Sequence, residues 1–204
     1  MTRRRIERFL ATLAAELDAP ARAYVTGAAA AALWGRVRPS VDIDFGLEFR
    51  GRGRAKVSRW DDLQRAVDRT TKLTGIPANV AEDIDRWGMI TLLDYKRSAR
   101  RYRTFGKLEV KLLKPVNWSI GKLTRRLDAD LSDVVEVFKR LGTSATAAAT
   151  TWGRALRASP ASTAQFQFRR NVEDFLRRHG PAIWGRAFDA EATIRVFDRW
   201  ARIA

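Results

Sequence analysis

Between Tyr24 and Phe49 the chain reads YVTGAAAAALWGRVRPSVDIDFGLEF, and no other stretch narrows the possible folds as far. Arg22 to Thr26 predicts a strand, Gly27 a turn, and Ala28 to Trp34 a short buried helix. Arg36 to Ser40 follows as a loop, with Pro39 just before a second strand, Val41 to Phe49. Strand side chains alternate, so Asp42 and Asp44 share one face while Val41, Ile43, Phe45 and Leu47 share the core-facing side. Strand, helix and strand in so short a span predict an α/β domain with helix packed on sheet. Two carboxylates on one face repel each other unless a cation sits between them, and a divalent metal is the usual one. Gly27, at the strand-to-helix turn, lets a phosphate approach backbone N–H groups. A phosphate cradle beside paired carboxylates predicts nucleoside-triphosphate and metal chemistry. Read alone, D-I-D is more often simply the charged, solvated face of an edge strand, and the glycine turn upstream is what favours the metal reading.

The 204 residues suffice for one domain with an appendage or for two small domains, and 46% apolar content supplies a core. Lys and Arg exceed Asp and Glu by 39 to 23, a net charge of +16. So large an excess predicts a polyanionic partner, nucleic acid first, bound in a salt-sensitive way. With no cysteine, disulfides, thiol chemistry and Cys-ligated zinc are excluded, which fits a cytoplasmic protein. No apolar run is long enough to predict a membrane span. Ile6, Phe9, Leu10, Leu13 and Leu17 fall at helical spacing and predict an amphipathic packing helix ending before Pro20, despite the arginines that open the chain.

Beyond the second strand, Arg50 to Lys56 is a basic glycine loop, readable as a flexible turn or as a contact to phosphate. Trp60 to Leu73 predicts a helix stopped by Gly75-Ile76-Pro77. Asn79 to Leu93 predicts short strands around Glu82 to Asp85, and Lys96 to Arg103 is a basic cluster suited to a loop, an edge strand or RNA. Lys107 to Lys114 predicts a strand ending at Pro115, with Glu109 in an alternating register. From Trp118 onward the chain predicts helices: one or two to Leu141, then Ala145 to Arg157, Ala164 to Arg178 and Ala187 to Arg202. The expected organisation is therefore α/β: a small mixed-sheet nucleotide-handling core over 1–115, then a helical C-terminal region over 116–204. His179, the single histidine, is expected at a helix C-terminus in a structural or dipole role.

The Gly27 turn, the short helix, Arg38-Pro39-Ser40 before Asp42-x-Asp44, and a later strand carboxylate resemble the DNA polymerase β-like nucleotidyltransferase superfamily. Lys122-Leu123-Thr124-Arg125 followed by Asp130-Leu131-Ser132-Asp133 is similar to the helical motif of minimal AbiEii/MenT-type nucleotidyltransferases of bacterial toxin–antitoxin systems. The resemblance spans about Tyr24 to Arg140. One departure is Ala28, where the family turn carries a second glycine or a serine.

The resemblance implies a Mg²⁺-dependent nucleotidyltransferase with a two-metal site held by Asp42, Asp44 and Glu109, Asp83 and Asp85 being rivals of Glu109. It implies that Thr26, Gly27 and Ala28 cradle the NTP phosphates with Arg38 and Ser40 nearby. Lys122 would neutralise the triphosphate, and Asp130 would orient Lys122 or the substrate. It further implies an RNA acceptor such as a tRNA 3′ end, and an antitoxin as protein partner. A small-molecule or protein nucleotidyltransferase, and a non-catalytic RNA-binding module, stay open as alternatives.

Overall fold

The computed structural model describes residues 1–35, 41–49 and 55–202. They form an α/β protein with a five-stranded mixed sheet and a helical C-terminal region, as expected. Two compact units divide it: Met1–Ile84 with Lys96–Leu113, and Asp85–Tyr95 with Lys114–Ala204.

In the first unit, α1 (Arg3–Glu16) begins at Thr2, whose hydroxyl accepts from the Arg5 N–H. Its apolar stripe, Ile6, Phe9, Leu10, Leu13 and Ala14, is buried. The strands are β1 (Ala21–Val25), β2 (Ile43–Phe49), β3 (Ala78–Ala81), β4 (Arg100–Phe105) and β5 (Leu108–Leu112), in spatial order β3-β2-β1-β5-β4. Alternation gives the sheet two unlike faces. Ala21, Ala23, Val25, Ile43, Phe45, Leu47, Leu108, Val110 and Leu112 are buried on one, where the Phe9 ring meets Phe45 edge-on at 6.0 Å. Between β1 and β2 runs α2 (Gly27–Leu33), buried from Ala29 onward. The long α3 (Ala55–Thr74) is tied to α1 by Arg69 Nε donating to Glu16 Oε2 at 2.7 Å.

Two expectations are corrected. Val41 is 80% exposed rather than in the core, because β2 pairing with β3 begins only at Ile43↔Ala78. Glu82 to Asp85 is not strand: β3 ends at Ala81 and a 3₁₀ turn covers Ile84–Trp87. The basic cluster divides between α4 (Tyr95–Ser98) and the edge strand β4, an edge strand being one of the readings its sequence allows.

The second unit holds α5 (Pro115–Arg125), α6 (Asp128–Leu141), α7 (Ala145–Ala158), α8 (Thr163–Trp184) and α9 (Ala190–Ala201). The second unit takes up the chain from Lys114, and Asp85–Tyr95 joins the helices. Its buried Ile90 and two hydrogen bonds hold it there: Thr91 N to Ser159 Oγ at 2.9 Å and Asn117 Nδ2 to the Leu93 carbonyl at 3.3 Å. Arg126, in the left-handed region, closes α5 and separates it from α6. Helix α8 does not stop at Arg178 but runs through Gly180 and Pro181. The Phe188 ring fills the space beside Gly180, with its Cε1 2.1 Å from where a Cβ would stand, and Trp184 Nε1 donates to the Thr143 carbonyl at 2.7 Å. His179 consequently lies inside the helix against Phe175, with ring centroids 5.2 Å apart. Burial pushes its pKa down and so favours the neutral ring, not a cation at a helix end.

Helices α7 and α9 approach most tightly at Gly153. A Cβ there would stand 2.5 Å from the Phe197 carbonyl oxygen and 2.8 Å from Trp200 Cβ. Both neighbours are rigidly held, so Gly153→Ala is expected to cost about 1–3 kcal/mol by overpacking. Urea unfolding checks this, and a variant as stable as the parent would show that α9 yields freely.

Candidate active site

The polar face of the sheet carries every strand-borne carboxylate the sequence singles out, but it spreads them apart. Gly27 follows β1 by one residue, Thr26, and has φ +61°, a left-handed conformation glycine adopts without cost. A Cβ on Gly27 would lie 2.1 Å from Asp44 Oδ2 and 3.0 Å from Asp44 Cγ. The Asp44 carboxylate thus packs against the glycine backbone, in space any other residue would fill. The Thr26 N–H donates to the Asp44 carbonyl at 2.9 Å, fixing the turn to β2 from the main chain as well. Thr26, Gly27 and Ala28 are half-buried, ahead of the fully buried remainder of α2.

Asp42 and Asp44 do share one face, and both are half-buried. The exposed Asn79 joins them: its Nδ2 donates to Asp42 Oδ2 at 3.0 Å and to Asp44 Oδ1 at 2.9 Å. The register Asp44↔Asn79 in the parallel β2–β3 pair places it there. An amide bearing two N–H donors can satisfy two carboxylates at once, which eases the repulsion between them. Asn79 is the member of this constellation that sequence reasoning missed. Its signal was weak, since a four-residue strand inside a mixed segment does not announce a register.

Glu109 sits on the same face but elsewhere along it. Arg22 pairs with Glu48 on one side and Glu109 on the other, with Arg22 Nε donating to Glu109 Oε2 at 2.8 Å and Nη1 to Glu48 Oε1 at 3.2 Å. Asp44 lies four residues along β2 from Glu48, about 14 Å at about 3.4 Å per residue. Metal–oxygen bonds of about 2.0–2.6 Å cannot span that separation. The expectation that Glu109 completes the metal site is corrected accordingly: it neutralises Arg22. Tyr24 closes this second polar group by donating to Glu48 Oε1 at 2.8 Å, and burial together with that bond pushes its pKa up to about 12. The rival Asp83 engages Lys96 at 3.5 Å, and Asp85 belongs to the helical unit. Among the described residues, no third carboxylate or histidine joins Asp42 and Asp44.

Lys122 and Asp130 meet inside the helical unit. Lys122 is 3% exposed, with Nζ 2.6 Å from Asp130 Oδ1 and 3.0 Å from Asp133 Oδ2, both carboxylates being buried. Arg125 Nε donates to Asp130 Oδ2 at 2.9 Å from the exposed side. Burial alone would raise the Asp130 pKa, but the bonds to Arg125 and Lys122 outweigh it and hold the carboxyl below its usual range. In this arrangement the ammonium neutralises two buried carboxylates. Arg38 and Ser40, expected near the phosphates, lie outside the described residues, as does Arg50 to Arg54 of the basic glycine loop.

The ligand atoms at Asp42 and Asp44 are hard carboxylate oxygens, suited to Mg²⁺ and unsuited to soft metals, while Asn79 turns its Nδ2–H groups towards them. The space beside Gly27 that a Cβ would fill is taken by the Asp44 carboxylate, so the glycine is what lets Asp44 stand against the turn. Compared with known proteins, the chain matches no family model, no curated protein and no solved structure.

Proposed function

We propose that this chain is a Mg²⁺-dependent nucleotidyltransferase that works from Asp42 and Asp44 and transfers a nucleoside monophosphate from an NTP to an RNA acceptor, such as a tRNA 3′ end. The observation that carries the reading is the packing of the Asp44 carboxylate onto Gly27 at φ +61°, with Asp42 beside it on the same face. The motif resemblance from Tyr24 to Arg140 and the +16 charge support it from the sequence.

Asp42 and Asp44 would hold the metal, which when bound neutralises triphosphate charge and lowers the pKa of a nearby hydroxyl. Asn79, by bonding both carboxylates, holds them side by side on one face. The turn at Gly27 and Ala28 would face the phosphates through its backbone, a contact that does not need the hydroxyl Ala28 lacks, while the Thr26 N–H holds the turn to the Asp44 carbonyl. The acceptor hydroxyl oxygen forms a bond to the α-phosphorus, the bond from that phosphorus to the pyrophosphate oxygen breaks, and the hydroxyl proton passes to a carboxylate of the pair. A role as the toxin of a toxin–antitoxin pair follows from the resemblance and would show as growth arrest relieved by Asp42→Ala.

The test is incubation of the purified protein with Mg²⁺, total RNA and each α-labelled NTP in turn. Asp42→Ala and Asp44→Ala run alongside. Label is expected in a discrete RNA band, at least 100-fold weaker in either variant and absent with a chelator. Undiminished labelling by both variants would remove this site from the account.

A further inference from the structure

The +16 charge is not spread evenly in its effect. In the helical unit most arginines of α5 to α8 are engaged: Arg125 by Asp130, Arg126 by Asp174, Arg140 by Glu136, Arg169 by Glu173 and Arg177 by Glu191. On α1 and β4 the pattern differs. Arg4, Arg8, Arg100 and Arg103 are exposed, and among the described residues no carboxylate pairs with them.

These arginines occupy one edge of the first unit. Arg3 Nε donates to the Tyr102 hydroxyl at 2.9 Å, and its guanidinium lies 5.6 Å from the Tyr102 ring centroid, which pins the first turn of α1 to the middle of β4. Arg4 and Arg8, four residues apart, form a neighbouring row on the same helix, about 5–6 Å apart at Cβ. On the strand, Arg103 stacks over Phe105 at 5.2 Å. A register shift between Arg101 and Arg103 turns successive arginines to different sides, so that Arg101 stands opposite Lys111 on the polar face of the sheet while Arg103 stands opposite Val110 on the α1 side. β4 is the last strand of the sheet, so the row wraps an open edge.

Charge on an edge strand also discourages aggregation, but lone charges accomplish that. Guanidinium groups spaced along a helix and a strand, Arg3 held over Tyr102 and Arg103 over Phe105, suit a row of spaced oxyanions, and the two rings are half-buried, so among the described residues this edge lacks the protruding apolar side chains with which a protein inserts into lipid. We infer that the α1–β4 edge, with Arg4, Arg8, Arg100, Arg101 and Arg103, is a binding surface for the phosphodiester backbone of a nucleic acid. This rests on the reading of RNA as the acceptor and gives that acceptor a place to dock.

Fluorescence anisotropy with a 5′-fluorescein 20-nucleotide single-stranded RNA, and with DNA of the same sequence, tests it between 50 and 300 mM KCl without NTP. The triple variant Arg4→Ala/Arg8→Ala/Arg103→Ala is compared with the exposed control Arg157→Ala/Arg195→Ala/Arg199→Ala, which removes the same charge from the helical unit. All six side chains are exposed, so thermal melting is expected to be unchanged in both. The edge variant should lose at least tenfold in RNA affinity at 150 mM KCl, and the slope of log K against log salt should shrink by about 2, at about 0.7 per phosphate contact. The control should stay within twofold of the parent. Preference for RNA over DNA would assign the surface to RNA; equal binding would assign it to backbone charge of either. An edge variant that binds like the control, or a parent that binds neither strand, overturns the inference. Failed transfer by the parent protein with RNA binding intact would strike the nucleotidyltransferase reading and leave the surface standing, whereas under both readings Asp42→Ala should lose transfer and still bind RNA.

Discussion

Gly27→Ala is expected to abolish nucleotidyl transfer, at least 100-fold, while Ala28→Gly changes it little. The added methyl would stand 2.1 Å from Asp44 Oδ2, well inside van der Waals contact, on a backbone already at φ +61°. Relief can come only from rotating the Asp44 carboxylate away from Asn79 and Asp42 or from shifting the turn that Thr26 anchors to β2. Either movement spoils the carboxylate pair. The left-handed conformation adds about 1–2 kcal/mol for a residue with a Cβ, and overpacking adds about 1–3 kcal/mol. The two effects separate experimentally. Gly27→Ala with Asp44→Gly removes the clash and should recover a good part of the lost stability in urea unfolding, yet no transfer. Mn²⁺ binding followed by electron paramagnetic resonance should weaken at least tenfold in Gly27→Ala. Parent-like activity in Gly27→Ala would mean that Asp44 is not part of the chemistry.

That turn was legible because it depends on local rules. A glycine after an apolar strand, a run of small residues and an alternating D-I-D strand each leave a mark in the one-dimensional pattern, and the structure reproduces that order from β1 to β2. The helix α1 and the strand β5 were legible for the same reason, through periods of 3.6 and 2. What the pattern could not carry is register across the sheet. Glu109 and Asp44 share a face by alternation, and only the pairings Arg22↔Glu48 and Arg22↔Glu109 reveal that they lie at different levels. Asn79 was hidden by the same limit, since its neighbour Asp44 is thirty-five residues away along the chain. The run of α8 through Gly180-Pro181 was masked by residues that usually end helices. There the tertiary packing of Phe188 into the gap left by Gly180 prevails over local propensity. The resemblance left Asp130 beside Lys122 or the substrate; that its carboxylate meets Lys122, that both are buried, and that Asp133 is the second carboxylate emerge only when α5 and α6 pack.

Lys122→Met is accordingly expected to destabilise the helical unit by about 3–5 kcal/mol, because it leaves Asp130 and Asp133 buried with their shared cation gone. Arg125 still reaches Asp130 from the exposed side, so Asp133, 0% exposed, should suffer more. Loss of transfer in Lys122→Met therefore says nothing about triphosphate binding until folding is measured. The variant Lys122→Met/Asp130→Asn/Asp133→Asn removes the charges together and should regain much of the stability, since a buried ion cluster replaced as a whole costs far less than one broken. If this folded variant transfers nucleotides, Lys122 is structural; if it folds and is inactive, the ammonium is needed by the reaction. Acid gives an independent reading. The Asp130 pKa is lowered in the folded state, so its contribution is fully present above the unfolded value of about 3.9 and is lost as pH falls towards the folded value. Parent protein should lose stability on acidification below about pH 4 more steeply than the triple variant. Equal slopes in urea titrations across that range would show that the buried cluster does not govern the acid response.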